Sequence, residues 1–162
     1  MHFVRAKRGS RRLLVFELGQ GEAAWLLATL PRYPLLDSGF HRLSKSGAAT
    51  DAQQKFLEEV MTEERRSHQK MVRKFVLHPR RFQSGPADRL FLELTEAETD
   101  WLLRILNDLR VGSWVKLGRP GQEEYGRLMP TPANVADLAT LMRTGQMQAA
   151  LLQALDHPGA GS

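Results

Sequence analysis

The chain contains no cysteine among its 162 residues. This absence excludes disulfide bonds, thiol catalysis and thiolate metal sites, and it is compatible with a reducing compartment. The sequence also lacks the phosphate-binding patterns G-x-x-x-x-G-K-[ST] and G-x-G-x-x-G, and the G-x-S-x-G pattern of a nucleophilic serine. Nucleotide binding and serine hydrolysis therefore have no support, and we expect no cofactor.

Long apolar stretches are absent as well, and none approaches the length that crosses a membrane. The basic N-terminal residues are followed by LLVFEL, which is too short for the apolar region of a signal peptide. We therefore expect a cytoplasmic protein without a membrane partner. The apolar fraction of 42% is sufficient for a globular core.

Clusters of metal-binding or catalytic side chains are not evident. The five histidines are scattered, so a zinc site would need ligands from distant segments. Glu64 and His68 are four residues apart, whereas the Glu-x-x-His of ferritin-like sites spans three. They lie one helical turn apart and are compatible with a buried hydrogen-bonded pair. We expect no metal, and enzymatic activity is the least supported of the functions considered.

Two stretches of the chain, 12–30 and 89–110, resemble each other at an offset of 76 residues. Each is typical of a short strand that leads directly into a helix. In the second stretch, Thr95 and Glu98 form the T-x-x-E capping box of a helix start, whereas the first stretch has glycines there. Duplication and chance similarity are both compatible with this pattern. The identical pairs are Leu14/Leu90, Glu17/Glu93, Leu18/Leu94, Glu22/Glu98, Trp25/Trp101, Leu26/Leu102, Leu27/Leu103 and Leu30/Leu106.

We predict a mainly α-helical fold, a single-domain bundle with two short β-strands that pair with each other and a pseudo-twofold strand-helix repeat. A basic arm at 1–12 would precede a globular domain at 13–157. That domain would have two lobes, 13–78 and 89–157, joined by a loop at 79–88.

Helix boundaries follow from apolar periodicity and end signals. A helix over 51–77 would begin at a Thr50-x-x-Gln53 capping box and end at His78-Pro79. A second helix would span 96–117. A loop at 118–131 would precede a helix that starts near Pro132, breaks at Gly145 and is followed by a last amphipathic helix.

Charge is distributed unevenly. Residues 1–81 hold 16 Lys/Arg and 8 Asp/Glu, which gives +8, and residues 82–162 hold 7 and 10, which gives −3. Such an asymmetry either attracts an acidic partner or reflects a solvated surface. On the 51–77 helix, basic side chains fall opposite the apolar face; they form either Glu-to-Lys/Arg pairs or a ridge that continues beyond the helix. The residues of this basic ridge are Arg66, Lys70, Arg73, Lys74, Arg80 and Arg81.

The segment ETDWLLRILNDLRVG resembles a bacterial family known as a domain of unknown function. That family has a similar helix after a short strand, in which Trp-Leu is followed about one turn later by Leu-Asn-Asp-Leu-Arg. Its members are often encoded near the adaptor of the Clp protease, so the resemblance implies a connection with protein turnover and no particular activity. The chain differs from the family in its basic charge and in residues 118–131. The matching residues are Trp101, Leu102, Leu106, Asn107, Asp108, Leu109 and Arg110.

Two functional hypotheses remain. The first is a non-enzymatic interaction or regulatory protein that binds a protein partner, including a second copy of itself. Its candidate partner-binding residues are Asn107, Asp108 and Arg110, although Asp108 and Arg110 are equally compatible with bonds that fix the helix to its neighbours. The alternative is a nucleic-acid-binding protein that uses the basic arm and the basic ridge.

Overall fold

The centre of the fold is a pair of antiparallel strands, Leu13–Gly19 (β2) and Arg89–Thr95 (β4). The computed structural model describes residues 1–7, 12–36 and 51–156. In each strand, every second side chain is apolar and points to the same face of the sheet. Each strand continues into a helix without a loop, as the sequence predicted. The predicted pairing of these two strands is confirmed.

Two outer strands complete the sheet. His2–Lys7 (β1) pairs with β2, Phe82–Ser84 (β3) pairs with β4, and the order is β1-β2-β4-β3 with every pair antiparallel. The prediction of a helical bundle with two short strands is therefore wrong, and the protein is a mixed α/β fold. The outer strands escaped prediction because their sequences, HFVRAK and FQS, are short and polar, and strand formation there depends on pairing with the apolar central strands.

The basic N-terminal arm is thus largely part of the sheet. Phe3 lies opposite Phe16 of β2, with ring centroids 5.9 Å apart. The terminal ammonium of Met1 pairs with the carboxylate of Glu22. These contacts bind residues 1–7 to the globular domain, whereas residues 8–11 of the predicted arm lie outside the described residues.

The helices are Gln20–Thr29 (α1), Asp51–Leu77 (α2), Glu96–Lys116 (α3), Gln122–Arg127 (α4) and Val135–Asp156 (α5). The predicted extents of α2 and α3 are confirmed to within one residue. The predicted cap of α2 includes Thr50, which lies outside the described residues. Helix α4 forms within the predicted 118–131 loop.

Helix α5 is continuous through Gly145, where the sequence predicted a break. A glycine inside a helix costs about 1 kcal/mol relative to alanine. Burial of the following apolar face offsets this cost, because Met147, Leu151 and Ala154 are almost fully buried in the core.

The core lies between one face of the sheet and the helices. Helix α3 packs along α5, and its apolar stripe, which the sequence predicted from Trp101 to Leu109, is buried. No helix in the described part of the chain is both long and apolar enough to span a lipid bilayer. The fully buried large side chains are Leu14, Phe16, Leu18, Leu26, Leu30, Leu92, Leu94, Leu102, Ile105, Leu106, Leu109 and Leu151.

Candidate functional site

The polar end of α3 is divided between two environments, the cleft beside α2 and the surface of α5. The carboxylate of Asp108 accepts a hydrogen bond from the backbone N–H of Leu35, with an N···O distance of 2.7 Å. This bond ties α3 to the segment that follows α1. Asp108 therefore has a structural role, which was one of the two alternatives that the sequence left open.

Arg110 points toward α5. Its Nη1 donates to Oε1 of Gln148 over 3.3 Å, and its guanidinium extends over the surface next to Gly145. Asn107 is exposed and borders a cleft between α2 and α3. The structure thus brings Asn107 and Asp108 to the same cleft and places Arg110 against α5, because Arg110 lies two to three helical positions further on and successive positions differ by about 100° around the axis.

The cleft next to Asn107 has a volume of about 160 Å³. The hydroxyl of Tyr33 lies 3.3 Å from Nδ1 of His68 within it. Burial, together with the negative charge of Asp108, raises the pKa of the Tyr33 hydroxyl to about 12, although Arg65 opposes this shift. The Tyr33 hydroxyl keeps its proton at neutral pH, and its contact with His68 connects the segment after α1 to α2.

Glu64 and His68 do not form with each other the hydrogen bond that their spacing would allow, and each has a different partner. Glu64 lies 3.5 Å from the guanidinium of Arg104, which also contacts Asp100 on its own helix. Both ion pairs are largely exposed and contribute little to stability. The side chains around this cleft therefore connect α2 to the segment after α1 through Tyr33 and His68, and to α3 through Glu64 and Arg104.

Most of the basic ridge forms no ion pair with the described carboxylates. Arg66, Lys70, Arg73, Lys74 and Arg80 are exposed, and no carboxylate among the described residues forms an ion pair with them. The expected Glu-to-Lys/Arg pairs along α2 therefore do not form in the isolated chain.

Arg81 is the exception in the predicted ridge. Its Nη1 donates to Glu98 over 3.1 Å, and its guanidinium carbon lies 4.5 Å from the centre of the Phe75 ring. Arg81 is partly buried between these two side chains. It stabilises the start of α3 and is not part of an exposed ridge.

Helix α2 carries a second feature that the helical pattern did not identify. Among its apolar residues, Val72 and Phe75 are buried, whereas Phe56, Val60 and Met71 are exposed to 69%, 47% and 36%. Met71 is exposed although Val72 and Phe75 next to it are buried, so periodicity shows that a helix has an apolar face but not which residues of that face the rest of the protein covers.

In the described part of the chain, no group of three His, Asp or Glu side chains comes together in a way that could hold a metal ion. Comparison with protein-family models, with curated proteins and with solved structures finds no match to this chain.

Proposed function

We propose that the protein is a non-enzymatic interaction or regulatory protein whose binding surface is formed by α2. The observation that carries this proposal is the exposure of three large apolar side chains, Phe56, Val60 and Met71, on a helix of 27 residues. Soluble proteins tolerate scattered apolar residues at the surface, but an aligned set on one helix face is typical of a contact surface.

Neighbouring polar residues support the same surface. Asn107 of α3 borders the cleft beside α2 and is exposed, so it remains a candidate contact residue. The exposed cations of the basic ridge add charge that would favour a partner with acidic groups. The family resemblance of the α3 segment makes protein turnover the proposed setting of this interaction.

Site-specific photo-crosslinking in cells would test the proposal. A photoreactive residue at position 56 should form cross-links to protein, whereas one at exposed Glu123 on α4 should not. Introducing Val60→Asp alongside position 56 should abolish these cross-links, because a charge placed four residues away disrupts the same apolar surface. Equal cross-linking at positions 56 and 123, or none at position 56, would contradict the proposal.

The second candidate function is nucleic-acid binding through the exposed part of the basic ridge. The observation that favours it is the absence of ion pairs between described carboxylates and Arg66, Lys70, Arg73, Lys74 or Arg80. Cations that are unpaired in the free protein are available to neutralise phosphates. Arg81 is excluded from this surface by its contact with Glu98.

A pair of variants with equal net charge distinguishes this candidate from general electrostatic attraction. One variant changes Arg66, Lys70 and Arg73 to Glu, and the control changes Lys116, Arg119 and Arg127, which are also exposed, to Glu. Duplex binding that decreases steeply with salt, and that is lost in the first variant alone, would support nucleic-acid binding. Equal losses in both variants, or no binding at low salt, would contradict it.

A further inference from the structure

We infer that the partner of α2 is a second copy of the chain, and that two α2 helices pair antiparallel about a twofold axis. This inference rests on the proposed function of α2 as a binding surface. It is carried by the distribution of charge along the helix. The acidic and basic residues are segregated into two halves that would complement each other in an antiparallel pair.

The segregation is complete in the basic half of the helix. Residues 51–64 contain five Asp/Glu and one Lys, whereas residues 65–77 contain five Lys/Arg and no acid. A parallel pair would place like charges side by side. An antiparallel pair places the acidic half of each helix along the basic half of the other. A twofold axis makes these two contacts equivalent, so the same surface of both copies forms the interface.

An apolar seam runs next to these charges. Phe56, Val60 and Met71 fall within roughly 60° of one another on the helix, at about 100° per residue, and Ser67, a small polar residue, lies among them. All four are exposed. This seam would supply most of the binding free energy through burial of apolar surface, because exposed ion pairs contribute little each.

The charged side of the seam has a matching symmetry. Glu59, Glu63, Arg66 and Lys70 also lie within roughly 60° of one another, at about 100° per residue. Glu59 and Lys70 are equally distant from the point midway between residues 64 and 65, and so are Glu63 and Arg66. A twofold axis at that point would therefore bring Glu59 opposite Lys70, and Glu63 opposite Arg66, of the second copy.

The same point is the boundary between the acidic and basic halves of the helix. Within one chain, none of Glu59, Glu63, Arg66 and Lys70 forms an ion pair with another described residue. Such charges flanking an apolar seam are typical of residues that set the orientation and partner of a helix pair.

Charge reversal with rescue tests the inference on the full chain. One variant carries Glu59→Lys and Glu63→Arg, and the other carries Arg66→Glu and Lys70→Glu. All four positions are exposed, so both variants should fold as the wild type does. A control with Glu123→Lys and Glu124→Arg places the same reversal on α4, where both residues are exposed.

We expect wild type and control to have the mass of two chains by light scattering after gel filtration. Each reversal variant alone should dissociate at least tenfold more readily, because like charges then face each other. A mixture of the two variants should restore a heterodimer, which native mass spectrometry resolves by mass. Phe56→Asp should also dissociate the dimer, and no second variant should rescue it.

A monomeric wild type, a dimer that is unaffected by the reversals, or a mixture that does not form heterodimers would each overturn the inference. Cross-linking at position 56 distinguishes the failure of self-association from the failure of the proposed function, which is that α2 binds a protein partner. A monomer that cross-links to a different protein refutes self-association and leaves α2 as a binding surface. A monomer in which position 56 cross-links within its own chain, or not at all, refutes both.

Discussion

Phe16 of β2 lies directly opposite Leu92 of β4, and the two residues are counterparts in the internal repeat, 76 positions apart. An antiparallel pair can bring a residue opposite its own counterpart at the point where a twofold axis passes between the strands. Both central strands also begin and end at equivalent positions, Leu13–Gly19 and Arg89–Thr95. The repeat seen in the sequence is therefore expressed as a pseudo-twofold arrangement of two hairpins, each followed by a helix.

The two helix starts repeat the same chemistry with one difference. Glu22 accepts a hydrogen bond from the N–H of Gly19, and Glu98 accepts one from the N–H of Thr95, each over 2.9 Å. Each carboxylate also binds a cation from its own half of the sheet, the Met1 ammonium or Arg81. The difference is the capping hydroxyl, which Thr95 provides to the N–H of Glu98 and which Gly19 lacks.

The helix caps give a first prediction. Thr95→Ala should reduce the free energy of unfolding by about 1 kcal/mol, because the N–H of Glu98 loses its acceptor. Gly19→Ser should increase it by about 0.5 kcal/mol, because it adds a capping hydroxyl and restricts the unfolded chain. A side chain fits at Gly19, whose backbone is extended and whose nearest neighbour would be 3.9 Å from the new Cβ. Urea unfolding measures both changes, and a destabilised Gly19→Ser variant would contradict the second.

The pH dependence of stability provides a second prediction, at Glu98. Burial alone would raise the pKa of Glu98, but hydrogen bonds from the Thr95 backbone and from Arg81 lower it overall. A lowered pKa in the folded state means that the ionised carboxylate adds stability above the ordinary Glu pKa of about 4.3, and that this stability is lost as the pH falls through the folded-state pKa.

The Glu98→Gln variant should therefore be less stable than the wild type at pH 7. This difference in the free energy of unfolding should shrink as the pH falls below the pKa of an ordinary glutamate. Urea unfolding at a series of pH values measures it. Glu123→Gln, at an exposed position without an ion pair to any described residue, is the control and should show no such trend. A difference at Glu98 that is independent of pH would contradict the role of its charge.

Asp108 gives a third prediction. Asp108→Ala should reduce the free energy of unfolding by about 2 kcal/mol, because the N–H of Leu35 loses a partner in a partly buried position. Asp108→Asn should cost less than about 1 kcal/mol, because an amide oxygen can still accept that bond. Equal costs for the two substitutions would show that the charge, rather than the hydrogen bond to Leu35, is what stabilises the fold.

Two helical glycines give a fourth prediction, because replacing each with alanine should change the stability of the protein in opposite directions. A Cβ at Gly112 of α3 would overlap Cβ of Leu35 and lie 3.2 Å from its carbonyl carbon, so Gly112→Ala should destabilise the protein by about 1–3 kcal/mol. A Cβ at Gly145 of α5 would lie 3.8 Å from the flexible end of Arg110, so Gly145→Ala should stabilise it by about 1 kcal/mol. Thermal unfolding of both variants measures the contrast, and a stabilised Gly112→Ala would refute the close approach to Leu35.

Sequence patterns were most informative for segments whose structure depends on near neighbours. Apolar spacing and end signals predicted the two long helices to within one residue of their observed bounds, 51–77 and 96–116. The capping box of the second helix was recognisable because it lies within the four consecutive residues from Thr95 to Glu98. The site was less accessible to such reasoning. Asn107, Asp108 and Arg110 are adjacent in sequence, but the neighbours of each come from distant segments.

The sequence by itself determined the two strand-helix units and the division of α2 into acidic and basic halves. These features arise from local spacing and composition. The tertiary structure decided that the segments 2–7 and 82–84 are strands, that α5 continues through Gly145, and that Phe56 remains outside the core. Each of these outcomes depends on contacts between residues far apart in the chain, where burial and pairing outweigh local preference.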